Sequence, residues 1–243
     1  MLEIKNLSVE VEGKRILNKI NLKLYKGKVY ALMGPNGSGK TSLANVLMAN
    51  PKYKILSGKI FLDNEDITNL PVNEKARKGI FVSYQNPVEI SGVTVSNFLR
   101  TAFNSLKDNK LSLLDFQKLL QEKTKELDIN EKFLKRYLNE GFSGGEKKKT
   151  EILQMLVLNP SFVILDETDS GLDIDSLKTV SKGINKFLNG DKIVLIITHY
   201  RKILDYINPD KVFIMKDGEI CAEGGIELIN KIEEKGYEKI NGN

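Results

Sequence analysis

The segment Gly34–Thr41 constrains the fold of this chain more than any other part of the sequence. It reads Gly-Pro-Asn-Gly-Ser-Gly-Lys-Thr, which matches G-x-x-x-x-G-K-[ST], the pattern of a loop that wraps backbone amides around phosphate oxygens. A strand pattern, Val29–Met33, precedes the loop, and a helix pattern, Ser42–Met48, follows it. This order predicts the strand–loop–helix unit of an α/β P-loop NTPase core, in which a helix N-terminus faces the phosphates.

The residue types in this loop predict their roles. Lys40 is expected to reach the β- and γ-phosphates, where it is a candidate catalytic residue, and the Thr41 hydroxyl is expected to ligate Mg²⁺. A glycine-rich turn that merely starts a helix is the alternative, and the flanking strand and helix argue against it. The expected nucleotide-binding residues are Gly34, Pro35, Asn36, Gly37, Ser38, Gly39, Lys40, Thr41 and Ser42.

A second element supplies the carboxylates that a phosphate loop needs. The run Phe162–Leu165 is apolar throughout, as is typical of a strand buried on both faces of a parallel sheet, and it ends in Asp166 and Glu167. Ligands of open α/β sheets bind at the carboxyl ends of the strands. Asp166 is therefore expected to hold Mg²⁺, largely through water, and Glu167 to polarise the attacking water as a general base. A solvated acid pair after a strand is the competing interpretation.

Charge and composition restrict the expected partners and cellular compartment of the protein. The net charge of +5 is spread along the chain, and its densest cluster, Lys147–Lys149, has no interleaved aromatic residues; nucleic acid is therefore not an expected partner. Apolar runs such as Ile193–Ile197 are too short to insert in a membrane, and Met1–Lys5 alternates like a strand rather than a targeting peptide. Cys221 is the single cysteine, so we expect a reduced, cytoplasmic protein.

The order of strand and helix patterns along the chain predicts one domain, 1–243, with two parts. The segments 1–93 and 159–243 are expected to form a nucleotide-binding α/β core with an N-terminal antiparallel β subdomain, and 94–158 an inserted helical subdomain. Asp217-Gly218 predicts a tight hairpin near the C-terminus. The predicted strands are Leu2–Val9, Leu17–Tyr25, Val29–Met33, Lys59–Leu62, Ile80–Tyr84, Phe162–Leu165, Ile193–Thr198 and Val212–Met215.

A second predicted anion-binding loop, or cradle, at a helix N-terminus indicates which class of NTPase the chain resembles. Ser143, Gly144, Gly145 and Glu146 open the helical run Lys147–Leu158, and a Ser-Gly-Gly sequence at a helix N-terminus can bind phosphate. An ordinary serine N-cap followed by flexible glycines is the simpler reading. Because one triphosphate needs one cradle, the second is expected to serve the nucleotide of another protomer. With these motifs the chain resembles the ABC ATPase family, whose signature motif has this form and position.

The resemblance implies further site residues. Gln85 would be the Q-loop glutamine that senses Mg²⁺ and the γ-phosphate, and His199, the single histidine, would be the catalytic switch histidine at that phosphate. The expected D-loop is Ser170, Gly171, Leu172 and Asp173.

Two positions depart from the family pattern. Val11 stands near where an aromatic residue often stacks on adenine. Glu146 stands where glutamine is commoner in the signature, which places a negative charge near a docking phosphate; we expect Lys147 and Lys148 to offset it.

Several segments are similar to SufC, the ATPase family of the SUF iron–sulfur cluster assembly system. This similarity implies a cytosolic ATPase that dimerises on ATP and remodels SufB- and SufD-like scaffold subunits. One cysteine and one histidine are too few for the chain to hold a cluster itself. The similar segments are Tyr84–Val93, Gly141–Lys148, Asp166–Asp175, Thr198–Asp210 and Glu233–Tyr237.

Two other functions stay open at this point. The chain could be the ATP-binding subunit of an ABC membrane transporter, in which case an integral permease should co-purify with it. It could also be a nucleotide-gated scaffold module that binds ATP and scarcely hydrolyses it, which a phosphate-release assay would reveal. The presence of both Glu167 and His199 argues against the third possibility.

Overall fold

The computed structural model describes residues 1–107, 110–188, 190–199 and 201–237. Tyr200, in one of the SufC-like segments, lies outside the described residues. The strands are Leu2–Val11 (β1), Lys14–Leu24 (β2), Lys28–Met33 (β3), Lys54–Leu62 (β4), Glu65–Asp66 (β5), Ile80–Ser83 (β6), Ile90–Thr94 (β7), Tyr137–Leu138 (β8), Phe162–Asp166 (β9), Ile193–Ile197 (β10), Lys211–Lys216 (β11) and Glu219–Gly224 (β12). The helices are Lys40–Leu47 (α1), Val72–Arg77 (α2), Val95–Leu106 (α3), Leu113–Glu126 (α4), Gly144–Leu158 (α5), Ile174–Phe187 (α6) and Glu227–Lys235 (α7), with a 3-10 turn at Glu131–Lys135.

A six-stranded sheet of order β12-β11-β3-β10-β9-β6 forms the core. Strand β3 pairs in parallel with β10 and β11, and β9 pairs in parallel with β10 and β6. The two apolar strands β9 and β10 are buried along their whole length, because helices such as α5 and α6 cover one face of the sheet, and α1 together with the antiparallel sheet of β1, β2 and β4 covers the other. The carboxyl ends of β3, β6, β9 and β10 therefore lie at one edge, and each leads into a segment predicted to carry site residues.

The predicted antiparallel subdomain is a separate four-stranded sheet of order β2-β1-β4-β5. Strand β4 begins at Lys54, earlier than the predicted start at Lys59, because the chain passes straight through Gly58. Gly58 has φ +91°, and a Cβ atom there would come within 2.5 Å of the Asn6 carbonyl oxygen at a register shift of β1. Because Gly58 has no side chain, the alternating pattern breaks there, and the sequence pattern alone does not predict the first half of the strand.

The segment between β7 and β9 is mainly helical, as predicted. Thr94 caps α3 by accepting a hydrogen bond from the Asn97 amide, and Ser112 caps α4 in the same way. A short strand also lies in this segment, since Tyr137–Leu138 pairs with β7 as a two-stranded ribbon. A two-residue strand is too short to display an alternating pattern. Within the described ranges, no helix has the length and apolar character to cross a membrane.

Lys75 is a fully buried lysine in α2, behind the helix that follows the phosphate loop. Its side chain is 0% exposed, and its ammonium group donates to the carbonyl oxygen of Val46 at 3.3 Å, near the C-terminal end of α1. Burial lowers the pKa of this amine to about 8. The charged form is therefore a cost to the folded state at neutral pH.

Lys75→Met is expected to raise the free energy of unfolding at pH 7 by about 1–3 kcal/mol. The fall of the Lys75 pKa from 10.5 to about 8 corresponds to roughly 3 kcal/mol, and the lost bond to Val46 removes part of that gain. Between the folded pKa of about 8 and the unfolded pKa of 10.5, Lys75 binds more protons in the unfolded chain than in the folded one. The free energy of unfolding of the wild type therefore increases as pH rises through this range. The gain should therefore be complete below about pH 8 and shrink toward pH 10.5.

Urea unfolding at pH 7 and pH 10 measures this difference, with the exposed Lys52→Met as the control. A Lys75→Met variant that is less stable than wild type at pH 7 would contradict the prediction.

Candidate nucleotide-binding and hydrolysis site

The phosphate loop leaves the sheet at Met33 and enters α1 at Lys40. At its first residue the backbone runs so close to β11 that a Cβ on Gly34 would lie 2.0 Å from the Met215 carbonyl oxygen. Only glycine fits there. The close approach of the backbone lets the loop curl in front of the helix N-terminus, where its amides can converge on an anion.

The Lys40 side chain folds back into the loop and is 4% exposed. Its ammonium group donates to the carbonyl oxygens of Gly34 at 2.8 Å and Pro35 at 2.9 Å. Burial lowers the pKa of the amine, while the nearby Glu167 and Asp166 carboxylates favour its charged form. The loop thus holds a cation at its centre, where the phosphates of a nucleotide would sit.

Asp166 and Thr41 meet at the predicted Mg²⁺ position. The Thr41 hydroxyl donates to Asp166 Oδ1 at 3.3 Å, while Asp166 Oδ2 is buried without a hydrogen-bond partner. Burial raises the pKa of this carboxyl to about 6. A buried, unsatisfied carboxylate oxygen beside a hydroxyl fits a divalent cation, because bound Mg²⁺ would supply the missing partner and favour the ionised form.

Glu167 lies at the centre of the predicted catalytic residues. Its carboxylate accepts hydrogen bonds from Gln85 Nε2 and His199 Nε2. The other ring nitrogen of His199, Nδ1, is 3.2 Å from the Gly34 carbonyl oxygen. Four separate segments of the sequence therefore meet here, so the candidate base is in contact with both candidate γ-phosphate sensors.

The backbone at Glu167 is in the left-handed region, with φ +49°. This conformation costs a residue with a side chain about 1–2 kcal/mol and is often found at functional sites. A hydrogen bond of 2.9 Å from the Glu167 amide to the Ile197 carbonyl oxygen of the neighbouring strand holds it in place. The abrupt turn aims Asp166 into the sheet edge and Glu167 toward Gln85 and His199.

The signature residues form a complete capping box at the start of α5. The Glu146 amide donates to Ser143 Oγ at 3.2 Å, and Glu146 Oε2 accepts from the Ser143 amide at 2.8 Å. The other carboxylate oxygen accepts from Arg136 Nη1 at 2.7 Å. Both the Ser143 amide and Arg136 lower the pKa of Glu146.

The expectation that Lys147 and Lys148 offset the Glu146 charge was wrong. Lys147 points away and pairs with Glu89 at 2.8 Å, and the Lys148 ammonium is buried 2.9 Å from Glu151. The counterion is Arg136, which reaches Glu146 from the segment before β8. Consecutive helix residues project about 100° apart, so neighbours in sequence do not share a face.

A buried network that the sequence analysis missed connects α5 with the Q-loop. The Glu151 carboxylate accepts from the Ser83 hydroxyl at 2.8 Å and the Tyr84 amide at 3.0 Å, while Lys148 donates to the Tyr84 carbonyl oxygen at 2.6 Å. Ser83 is also 3.3 Å from Thr168, next to Glu167. A glutamate at the start of 151–158, the mainly apolar half of α5, was the signal available in the sequence. The network fixes the backbone on the N-terminal side of Gln85.

The predicted D-loop, Ser170–Asp173, leads from this edge into α6. Asp173 is the N-cap of that helix and accepts from the Ser176 amide at 2.7 Å. Just before the loop, Asp169 accepts from the Thr198 hydroxyl at 2.9 Å, which ties it to the residue before His199. Burial raises the pKa of Asp169.

The structure brings together most of the predicted residues, with two exceptions. The phosphate loop, Asp166, Glu167, Gln85 and His199 share one sheet edge. Within the part of the chain described, no hydrogen bond or ion pair joins the signature residues 143–146 to the phosphate loop 34–41. Val11 lies at the end of β1, half-buried and opposite Lys14, and offers no ring for a base to stack on.

Comparison with known proteins gives a consistent result. The protein-family profile described as ABC transporter matches residues 17–170. A probable ABC transporter ATP-binding protein of Streptococcus pyogenes serotype M3 is 50% identical over 239 residues, which cover 98% of this chain and 93% of that protein. The probable ATP-dependent transporter ycf16 of Trieres chinensis is 48% identical over 242 residues, covering 98% and 96%.

The fold also matches solved structures. A dimeric ATP-binding cassette, in a post-hydrolysis state bound to ADP and Pi, has a TM-score of 0.81 at 23% identity, with 93% of this chain and 99% of that chain covered. At that identity the likeness speaks to the fold alone. It confirms the predicted α/β P-loop core with its antiparallel β subdomain and helical part.

Proposed function

The chain belongs to the ABC transporter family of ATP-binding proteins, and from that premise we propose how its residues act. It is an ABC ATPase, and its cofactors are ATP and Mg²⁺. The observation that carries the assignment of roles is the contact of Glu167 with Gln85 and His199, beside Asp166. We assign the general-base role to Glu167, which would take a proton from the attacking water as that water adds to the γ-phosphorus.

The other residues position the substrate around this base. Lys40 and the loop amides would hold the β- and γ-phosphates, and His199 would contact the γ-phosphate from the Gly34 side. Thr41, Asp166 and Gln85 would hold Mg²⁺, which supplies positive charge against the phosphates. Gln85 and His199 both donate to Glu167, so a bond from either residue to the γ-phosphate or to Mg²⁺ would have to replace its bond to Glu167 or be shared with it.

We propose that two copies sandwich ATP. Ser143–Glu146 would bind the γ-phosphate held by the phosphate loop of the other copy, and the D-loop 170–173 would lie between the two sites. The separation of the signature from the phosphate loop within one chain supports this arrangement, because the cradle at α5 needs a phosphate from elsewhere. In this proposal the chain is one ABC ATPase domain, with 94–158 as the helical subdomain that carries the signature.

We further propose that the chain is the SufC-like ATPase of a cytoplasmic iron–sulfur cluster assembly complex. The support is its similarity to SufC in the Q-loop, signature, D-loop and switch segments. ATP-driven closure of the dimer would remodel SufB- and SufD-like scaffold subunits docked on it. The role as ATP-binding subunit of a membrane transporter is the second candidate, and it is favoured by the names of the two relatives, both of which are called probable transporter proteins.

The segment Asn86–Val93 is the surface on which such a partner would dock. It follows Gln85, and its apolar side chains Val88 and Ile90 are 75% and 37% exposed. The segment is tied to the helical part, since Asn139 Nδ2 donates to the Val88 carbonyl oxygen at 2.8 Å. A partner covering these side chains would therefore contact both the γ-phosphate sensor and the signature half of the molecule.

Replacing Val88 and Ile90 with serine, together with Pro87→Ser, is expected to weaken scaffold binding at least about fivefold. Removing two exposed apolar side chains from an interface centre costs about 1–3 kcal/mol of binding free energy. Intrinsic ATPase activity should stay near that of the wild type, whereas stimulation by the scaffold should fall. Pull-down with SufB- and SufD-like subunits and phosphate release measure the two effects, with the exposed pair Leu113→Ser and Leu114→Ser as control.

Native purification separates the two candidate partners. Affinity capture of the full chain from extract, followed by mass spectrometry, should recover SufB- and SufD-like subunits without detergent. Recovery of an integral permease instead would overturn the assembly role in favour of the transporter role. Undiminished scaffold binding by the triple variant would overturn the docking surface at Asn86–Val93.

A further inference from the structure

Glu146 places a carboxylate at the N-terminal end of α5, which is where a phosphate must bind in the proposed dimer. The helix N-terminus carries about half a positive charge and attracts anions, and a carboxylate in the first turn competes with an incoming phosphate for it. Both oxygens of this carboxylate are engaged, one by the Ser143 amide at 2.8 Å and the other by Arg136 at 2.7 Å. The acid is therefore held to one side of the helix terminus.

Arg136 is itself fixed by its surroundings. Its Nη2 donates to the Gly141 carbonyl oxygen at 3.0 Å, and its guanidinium carbon lies 4.3 Å from the ring centroid of Phe142 and 5.4 Å from that of Phe133. Stacking on aromatic faces and donating from two nitrogens at once are properties of arginine that lysine lacks. The cation is thus positioned before it pairs with Glu146.

The remaining signature groups are left available. Ser143 Oγ accepts from the Glu146 amide, so its own hydroxyl hydrogen is free to be donated. The first-turn amides of Gly144 and Gly145 have no intrahelical acceptor. A side chain built at Gly144 would meet nothing within 4 Å, so the backbone there is open to a ligand.

We propose that Arg136 is a positioning residue of the signature motif, which keeps the Glu146 carboxylate in the capping box and cancels its charge so that the γ-phosphate of a partner protomer's ATP can bind. This inference rests on the ATP-sandwich dimer proposed above. It also accounts for a glutamate at a position where a negative charge would otherwise repel the substrate.

The test uses ATP-dependent dimerisation in a Glu167→Gln background, in which the ATP-bound dimer should accumulate. Adding Arg136→Ala should weaken dimerisation about tenfold or more, because an unscreened carboxylate then faces the phosphate. Adding Glu146→Gln as well should restore dimerisation, because no carboxylate charge then remains to screen. The triple variant should dimerise to within about twofold of the Glu167→Gln, Glu146→Gln double variant. Sedimentation velocity with ATP and Mg²⁺ measures each, with the adjacent exposed Lys135→Ala as control.

The outcomes are distinguishable. Undiminished dimerisation of the Arg136→Ala protein would overturn the inference, and so would a loss that Glu146→Gln fails to restore, because Arg136 would then act only through its packing on Phe133 and Phe142. A Glu167→Gln protein that stays monomeric with ATP would instead overturn the sandwich, and the inference with it. The Arg136–Glu146 pair is more than a third exposed on both sides, so the variant should fold. Circular dichroism checks this, and Arg136→Gln is the second variant.

Discussion

Lys40→Ala is expected to abolish ATP hydrolysis and to weaken nucleotide binding at least about thirtyfold. Removing one member of a buried charge pair costs about 2–5 kcal/mol of binding free energy, and the lower value corresponds to about thirtyfold. The cation that the loop holds between the carbonyl oxygens of Gly34 and Pro35 has no replacement within the loop. Titration with a fluorescent ATP analogue and a phosphate-release assay measure the two effects.

The same substitution should leave the protein folded. Two hydrogen bonds to backbone carbonyls are lost, but the loop can admit water, so we expect the free energy of unfolding to fall by only about 1–2 kcal/mol. The exposed Lys52→Ala, beyond the C-terminal end of α1, is the matched control and should behave as wild type. A folded Lys40→Ala protein that hydrolyses ATP at the wild-type rate would remove the phosphate-loop assignment.

Glu167→Gln is expected to separate binding from chemistry. Glutamine keeps the size of the side chain but cannot accept a proton, so turnover should fall about 10²–10⁴-fold, the usual contribution of a general base. ATP should still bind, because Lys40 and the loop amides are unchanged. A two-site sandwich that cannot hydrolyse its ATP should accumulate as a dimer, which light scattering with ATP and Mg²⁺ would detect.

The structure also predicts a loss of stability in the Glu167→Gln protein, which the sequence alone did not predict. Glu167 accepts from both Gln85 and His199, whereas glutamine offers one acceptor oxygen and one donor amide, so one of these bonds must reverse its direction or be lost, and stability should fall by up to about 1 kcal/mol. The exposed Glu131→Gln serves as control. Wild-type turnover by the Glu167→Gln protein would exclude Glu167 as the base, and a monomeric ATP-bound protein would count against the sandwich.

The central fold followed from local patterns in the sequence. Phe162–Leu165 and Ile193–Ile197 were recognisable because strands buried on both faces are apolar at every position. The phosphate loop was recognisable because its chemistry requires glycines and a lysine at fixed spacing. Once β3 and β9 are placed as parallel strands of one sheet, with β10 between them, their carboxyl ends lie at the same edge, so the proximity of Lys40, Asp166 and Glu167 was already implied. Boundaries were less certain where glycine breaks the alternation, as at Gly58 in β4.

Other features depended on contacts between residues far apart in sequence, and only the tertiary structure decided them. The sequence marked Glu146 as an unusual acid, yet its counterion proved to be Arg136, which the 3-10 turn and the β7–β8 ribbon carry to the start of α5. No sequence pattern indicated that Lys75 is fully buried, or that the left-handed backbone at Glu167 directs its carboxylate to Gln85 and His199. Local periodicity records which face of an element is apolar, whereas the partner of a buried or paired charge depends on how separate elements pack.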